Sequence, residues 1–367
     1  MQTHLSDDRL FEFLVALILR SNGYVAGVPR RLLGGRGTKH QVNVIGVDLN
    51  TSPFSLNNII IAQASCNVNL DMVRNLKATL IDLEQTLPSK RELIREIVGT
   101  DRGDLFHRIY GKEKSKEKFS VNYVGNIFIN KPLDQFAWEY ANAHGIYVTY
   151  VPKHLAGYPL HYWFNLFRKQ LDNIVSSNGS ITLPGLAKKE KKQQSFKNII
   201  SLLSNEDTAN SLETQQNHDL FTIINEIMFT KDLKPLHKKI QQLALASMNG
   251  YPVLLDYNLS YRNLIEAALI SFHNQFNKVK NVSQRTKYKP LNTAKFLIDN
   301  IKNTDDPNIA MINYRADPSE VSKPIADMKG FVYVPTSVLD KRMTRFQLKL
   351  PLKTDISMIA EFHIEQK

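Results

Sequence analysis

Ile59-Ile60-Ile61-Ala62 is an unbroken apolar run of strand length, and a strand of that kind is buried on both faces, inside a sheet covered from both sides. The flanking segments supply the rest of such a unit. Leu10, Phe13, Leu14, Leu17 and Ile18 recur at helical spacing behind the capping residues Ser6, Asp7 and Asp8, and Gly23 stops that helix. Gln41 to Val47 alternates as a strand does. Met72, Val73, Leu76, Leu80, Leu83 and Leu87 mark an amphipathic helix that ends at Pro88. Val121 to Ile129 reads as a further strand. Pro132 is expected to open a helix at its first turn, with Leu133, Phe136, Ala137, Tyr140 and Ala141 on one face, and Gly145 to close it before the strand Ile146 to Tyr150. This order predicts a compact α/β unit that ends near Pro152.

A chain of 367 residues is long enough for two domains. Residues 1–152 form the first. Residues 153–218 read as a helical connector, with Tyr158, Tyr162, Trp163, Phe164 and Phe167 as core aromatics, followed by a Ser-, Asn-, Gln- and Lys-rich linker or insertion. Residues 219–367 read as a second, α/β or α+β domain. Its helical patterns fall at 219–230, 234–248, 261–276 and 291–301, and its strand-like pieces at 251–256, 309–314, 330–335 and 345–350.

Lysine and arginine (47) outnumber aspartate and glutamate (35), a net charge of +12 that favours polyanionic partners. Cys66 is the only cysteine, which excludes an internal disulfide and any thiolate zinc cluster and fits a reducing cytoplasm. The first twenty residues do not read as a signal peptide, and no apolar run is long enough to span a bilayer. Gly34-Gly35-Arg36-Gly37 lacks the Gly-Lys-Ser/Thr ending of a nucleotide-binding P-loop.

Several stretches stand in a telling order: Phe11-Glu12 and Gly23-Tyr24; Gly35-Arg36-Gly37-Thr38-Lys39-His40-Gln41-Val42-Asn43-Val44-Ile45-Gly46; Ile60-Ile61-Ala62-Gln63-Ala64-Ser65-Cys66; Val73 to Asp82; and Ala141-Asn142-Ala143-His144-Gly145-Ile146. Together, over about residues 8–152, they resemble the Mrr-type branch of the PD-(D/E)xK nuclease superfamily. The resemblance implies a restriction-endonuclease-like mixed sheet flanked by helices. Such a nuclease uses an aspartate and a glutamate on adjacent strands to hold Mg²⁺, which wants anionic oxygen. A lysine two residues beyond the glutamate orients the attacking water and stabilises charge on the phosphate. At the matching positions this chain has Asn43, Gln63 and Ser65. All three have lost formal charge, which implies lost catalysis and no resident metal or other cofactor. Mg²⁺ belongs only to an alternative in which Glu12, Asp48, Lys77 or Glu84 has taken over.

Binding without cutting is the function this resemblance implies. The partner expected is nucleic acid, DNA before RNA, held by Arg30, Arg31, Arg36, Lys39 and His40 around the glycine-rich turn and by Arg74 and Lys77 on the following helix. Backbone N–H groups at Gly34, Gly35 and Gly37 are further phosphate donors. The company such domains keep points to a recognition or scaffolding subunit of a bacterial defence or DNA-processing system. Two alternatives stay open: an active nuclease with migrated residues, and an interaction subunit that assembles with a partner protein or with a second copy of itself.

Overall fold

The computed structural model describes residues 6–29, 32–48, 57–86, 93, 97, 121–176, 240, 243–248, 251–257, 292–316, 329–339, 343–351 and 357–365. It is a mixed α/β structure in which a five-stranded sheet between helices stands beside a closed barrel.

Helix α1 (Asp7–Ser21) starts where the Ser6 hydroxyl accepts the Arg9 N–H and stops at Asn22, followed by Gly23 at φ +86°. Strand β1 (Tyr24–Gly27) follows, then a ribbon of β2 (Leu33–Gly34) and β3 (Lys39–His40), then β4 (Val44–Asp48) and β5 (Asn57–Ala64). Strand β4 begins later than the alternation from Gln41 suggests, because Lys39 and His40 pair with the glycine-rich segment instead. After α2 (Leu70–Thr86) come β6 (Val121–Ile129), α3 (Gln135–Ala143) and β7 (Tyr147–Tyr150). The sheet order is β1-β4-β5-β6-β7, antiparallel as far as β5 and parallel from β5 to β7. The parallel pairs are the ones whose connections carry helices, as parallel strands require.

Alternation along β5 divides the core into two layers. Ile60 and Ala62 pack with α1, whereas Ile59 and Ile61 pack with Val73, Leu76 and Leu80 of α2 and with Ala137, Trp138 and Ala141 of α3. The apolar run from Ile59 is therefore buried on both faces, as expected. Helix α3 differs from expectation. Its cap is Asp134, whose carboxylate accepts the Phe136 and Ala137 N–H groups, so Pro132 lies before the helix. That start turns Phe136 outward, 69% exposed, and buries Trp138 in its place.

Past Pro152 the chain makes the hairpin β8 (His154–Leu155) and β9 (Tyr158–Pro159), then α4 (Leu160–Ser176). Trp163, Phe164 and Phe167 of α4 pack with α1, so the expected connector begins with a helix of the first core. Tyr158 and Tyr162 stack at 4.6 Å.

The described part of the C-terminal half is a seven-stranded closed barrel of β10 (Leu243–Met248), β11 (Tyr251–Tyr257), β12 (Asn292–Asn303), β13 (Ile309–Ala316), β14 (Lys329–Pro335), β15 (Met343–Pro351) and β16 (Ser357–Glu365). Their order around the ring is β10-β11-β14-β13-β12-β16-β15, and only β12 and β16 run parallel. Two helical expectations are overturned here, since residues 243–248 and 292–303 are strands. In β12 a bulge between Ile298 and Asn300 inserts a residue and breaks the alternation that would have marked it as strand. The helical patterns at 219–230 and 261–276, the charge run 112–118 and the Lys-rich stretch at 188–192 lie outside the described residues. Among the described residues no helix is long and apolar enough to cross a membrane.

Polar groups with specific partners join barrel and sheet. Strand β7 is the sheet's edge, and β11 runs against it: the Tyr251 hydroxyl accepts the Val148 N–H at 2.7 Å, and Thr149 Oγ1 donates to the Pro252 carbonyl at 3.4 Å. An edge covered in this way cannot template further strands. The Asn22 side chain accepts the Leu245 N–H at 2.8 Å and donates to the Leu243 carbonyl at 3.5 Å, serving β10 like a short neighbouring strand. From the turn between β12 and β13, fully buried Asp306 accepts the Leu133 N–H at 3.1 Å and the Trp138 indole N–H at 3.4 Å. Asp256 accepts the N–H of Ala156, which sits at φ +50° in the β8–β9 turn, at 2.7 Å.

Two outcomes follow from this interface. Asp306→Ala leaves two buried donors without acceptors and should destabilise the protein by about 2–4 kcal/mol, read by urea unfolding followed through tryptophan fluorescence. Burial pushes the Asp256 carboxyl up to about 6, against the Ala156 bond that pulls it down. The folded protein then holds a proton that the unfolded chain has lost between about pH 4 and 6. Stability falls as pH rises through that window, by up to about 3 kcal/mol. Asp256→Asn should remove that fall and stabilise the protein at pH 7.5, as measured by denaturation at pH 4.5 and 7.5.

Candidate functional site

The register Val44↔Ala62 puts the start of β4 beside the end of β5. Asn43 and Ser65 both lie at this end of the sheet, and the first turns of α1 cross it. Asp8 and Glu12 are four residues apart, hence on one face of the helix. The Asn43 side-chain amide donates to Glu12 Oε1, and Arg9 Nη1 donates to Glu12 Oε2 at 2.7 Å. Ser65 Oγ donates to Asp8 Oδ1 at 3.1 Å, and the Cys66 N–H donates to the same oxygen at 2.6 Å. Ser65 Oγ in turn accepts the Asn67 N–H, and Lys131 Nζ donates to Asn67 Oδ1 at 2.9 Å. Asn43 and Ser65 are thus each tied to a carboxylate of α1. Gln63 is half-buried and takes no part in these bonds; strand alternation puts it on the side of Ile59 and Ile61, facing the α2 layer. The three expected positions do not converge on one point.

Burial raises the Glu12 carboxyl above the usual carboxylate range, while the Arg9 guanidinium and the bonds from Arg9 and Asn43 oppose that rise. Burial, and then the charge of Asp8, pushes the Cys66 thiol up to about 11, so it is no thiolate nucleophile at neutral pH. Among the described residues Asp8 and Glu12 are the formal anions bonded in this network, and a hard cation would have to compete with Arg9, Asn43 and Ser65 for them. Among the described residues no group of three His, Cys, Asp or Glu side chains stands together as a metal site.

The rescue candidates lie elsewhere. Asp48 ends β4 opposite Tyr24, five residues from Asn43 and so about 16 Å along the strand. Lys77 Nζ donates to the His144 carbonyl at the end of α3, at 3.3 Å. Arg74 pairs with Asp71 at 3.5 Å and lies 5.7 Å above the Tyr140 ring. Arg74 is thus engaged by its own helix and by α3, and Lys77 by the residue that caps α3. Glu84 is exposed near the end of α2. Of the rescue residues, Glu12 alone is at the site.

Arg30 and Arg31 lie outside the described residues. Arg36 and Lys39 are exposed on the glycine-rich turn. His40 is half-buried between Thr79 Oγ1 at 3.1 Å and Asp82 Oδ2 at 2.7 Å. The same Asp82 carboxylate accepts the Gly37 N–H at 3.1 Å and the Thr38 N–H at 3.3 Å, and the Gly35 N–H donates to the Thr38 carbonyl at 2.8 Å. The Gly35 and Gly37 donors expected to meet phosphate are therefore already bonded inside the protein. The sequence showed no sign of Asp82. In the sequence Asp8 has only the role of a helix cap and Arg9 carries no signal, although the Asp8–Glu12 spacing was there to place two carboxylates side by side.

Asn43→Asp would set a second carboxylate against buried Glu12. It should cost roughly 2–3 kcal/mol at pH 8, recovered as the pH falls and the pair takes up a proton. Melting temperatures at pH 8 and at acid pH check this; equal losses at both would show that charge is not the cause. Comparison of the chain with protein-family models, with curated proteins and with solved structures finds no match in any of the three.

Proposed function

We propose that this chain is a restriction-endonuclease-like protein whose site no longer cuts and that it binds nucleic acid, DNA in the first place. The observation that carries the first half is the pairing of Glu12 with Asn43 and of Asp8 with Ser65. Residues at two of the positions where such a nuclease keeps its charged groups here serve as hydrogen-bond partners that hold helix α1 to the sheet. The order α1, three sheet strands, α2, β6 and a mixed sheet between helices supports the same reading. The positions of Asp48 and Lys77 speak against a migrated active site.

Binding rests on exposed Arg36 and Lys39 and on the net charge of +12. That charge has a particular distribution. The described residues hold as many lysines and arginines as aspartates and glutamates, so the whole excess belongs to the rest of the chain, Arg30 and Arg31 included. This balance, with Phe136 standing 69% exposed, favours a second reading in which the chain assembles with a partner protein. A place as recognition or scaffolding subunit of a cytoplasmic defence or DNA-processing system accommodates either.

The test is one preparation assayed for duplex binding and for cleavage across a salt series, with Mg²⁺ and with Mn²⁺. Binding without cleavage is expected. Arg36→Ala with Lys39→Ala should weaken it and flatten the slope of log K against log salt by about 1–2. Cleavage by the natural protein overturns the reading, and absence of binding beside stable co-purification with one protein puts the second reading in its place.

A further inference from the structure

The glycine-rich turn from Gly34 to His40 is organised around one carboxylate that it does not itself contain. Asp82, on α2, receives the N–H groups of Gly37 and Thr38 and the His40 Nε2 contact. Gly35 belongs to the same arrangement, since a Cβ built there would overlap the Asp82 carboxylate. Successive backbone N–H groups curled around an oxyanion, with a histidine beside them, are the donor set that binds phosphate. Arg36 and Lys39 stand exposed on this turn without an ion pair among the described residues. One carboxylate therefore satisfies the inner donors, and two outer cations are left over.

We propose that the turn is a phosphate-binding site which Asp82 occupies as an internal stand-in, and that an incoming phosphate group displaces this carboxylate. The idea deepens the nucleic-acid reading above and rests on it for the identity of the natural ligand. A phosphate engages the Gly37 and Thr38 N–H groups and His40 as Asp82 does, and its outward oxygens meet Arg36 and Lys39, which Asp82 leaves unpaired. The contact makes binding conditional: the turn accepts an anion only if the gain at Arg36 and Lys39 exceeds the loss of the Asp82 bonds. A phosphodiester strand and a free phosphate share this chemistry.

Inorganic phosphate and a DNA duplex separate the two sources. Phosphate is titrated into the full chain while the Gly37 and Thr38 amide resonances are followed, for the natural protein, Asp82→Ala and Gly35→Ala. Asp82→Ala should respond at phosphate concentrations about tenfold lower than the natural protein does. Gly35→Ala, whose Cβ would stand in the space of the carboxylate and press on His40, should not gain, since it obstructs a phosphate there as much as Asp82. Adding Arg36→Ala and Lys39→Ala to Asp82→Ala should reverse the gain. If Asp82→Ala fails to fold, Asp82→Asn keeps the size and acceptor while removing the charge, and should still gain. Amides that ignore phosphate in a folded Asp82 variant overturn the proposal, as does equal affinity in natural protein and variant. Duplex binding is measured on the same samples. Phosphate binding without duplex binding leaves the site and sinks its nucleic-acid role; salt-sensitive duplex binding with an indifferent turn sinks the site alone.

Discussion

Ten consecutive residues of α1, Leu10 to Leu19, are buried, and a helix without a polar side persists in water only when every face is covered. The sheet covers one side through β1, β4 and β5, α4 another, and β10 of the barrel a third. No one of these layers would suffice. That requirement explains why Ile240, Leu243 and Leu254 share a core with Phe11 and Leu14, and why sheet and barrel form one body with bonds across their boundary. It also explains the polar cluster at the start of the helix. Glu12 is carried into the interior with its apolar neighbours, and Arg9 and Asn43 supply the partners that a buried carboxylate needs.

Much of the first unit was legible in the sequence because its elements carry their own signals. Ser6 caps α1, Gly23 and Gly145 adopt positive φ at helix ends, and the Ile59 run is a two-faced strand. What escaped was set by tertiary context. Leu243 to Met248 contains residues that favour helix in isolation, yet β11 and β15 on either side make it a strand. In β12 the bulge at Ile298 mimics helical spacing. In α1 helical spacing picks out Leu10, Phe13, Leu14, Leu17 and Ile18, although the near-continuous Leu10 to Leu19 run already contained the fuller statement.

The polar cluster at the sheet end could be read only in part, because its partners come from different elements. Asn43 and Ser65 lie at one end of the sheet, while the groups that bind them, Glu12 and Asp8, meet them only once the helix lies across that end. Arg74 and Lys77 show the converse. Their place on the polar side of α2 left their direction open, and the ring of Tyr140 and the carbonyl at the end of α3 decide it. Asp82 has no local signature at all, because a carboxylate on a helix is ordinary until a turn some forty residues earlier in the chain wraps around it.

The barrel closes through β15, which pairs with β10 on one side and with β16 on the other, while β16 lies parallel to β12. About a hundred residues separate β10 from its partner β15. During synthesis, then, β10 waits with a raw side until β15 has left the ribosome, and β12 waits about seventy residues for β16. Pairings this far apart in sequence form slowly. The Asn22 amide, made more than two hundred residues earlier, is already present to hold the first rungs of β10 through that interval. In the finished protein it is a small polar contact; on the growing chain it is a placeholder for a ring not yet closed.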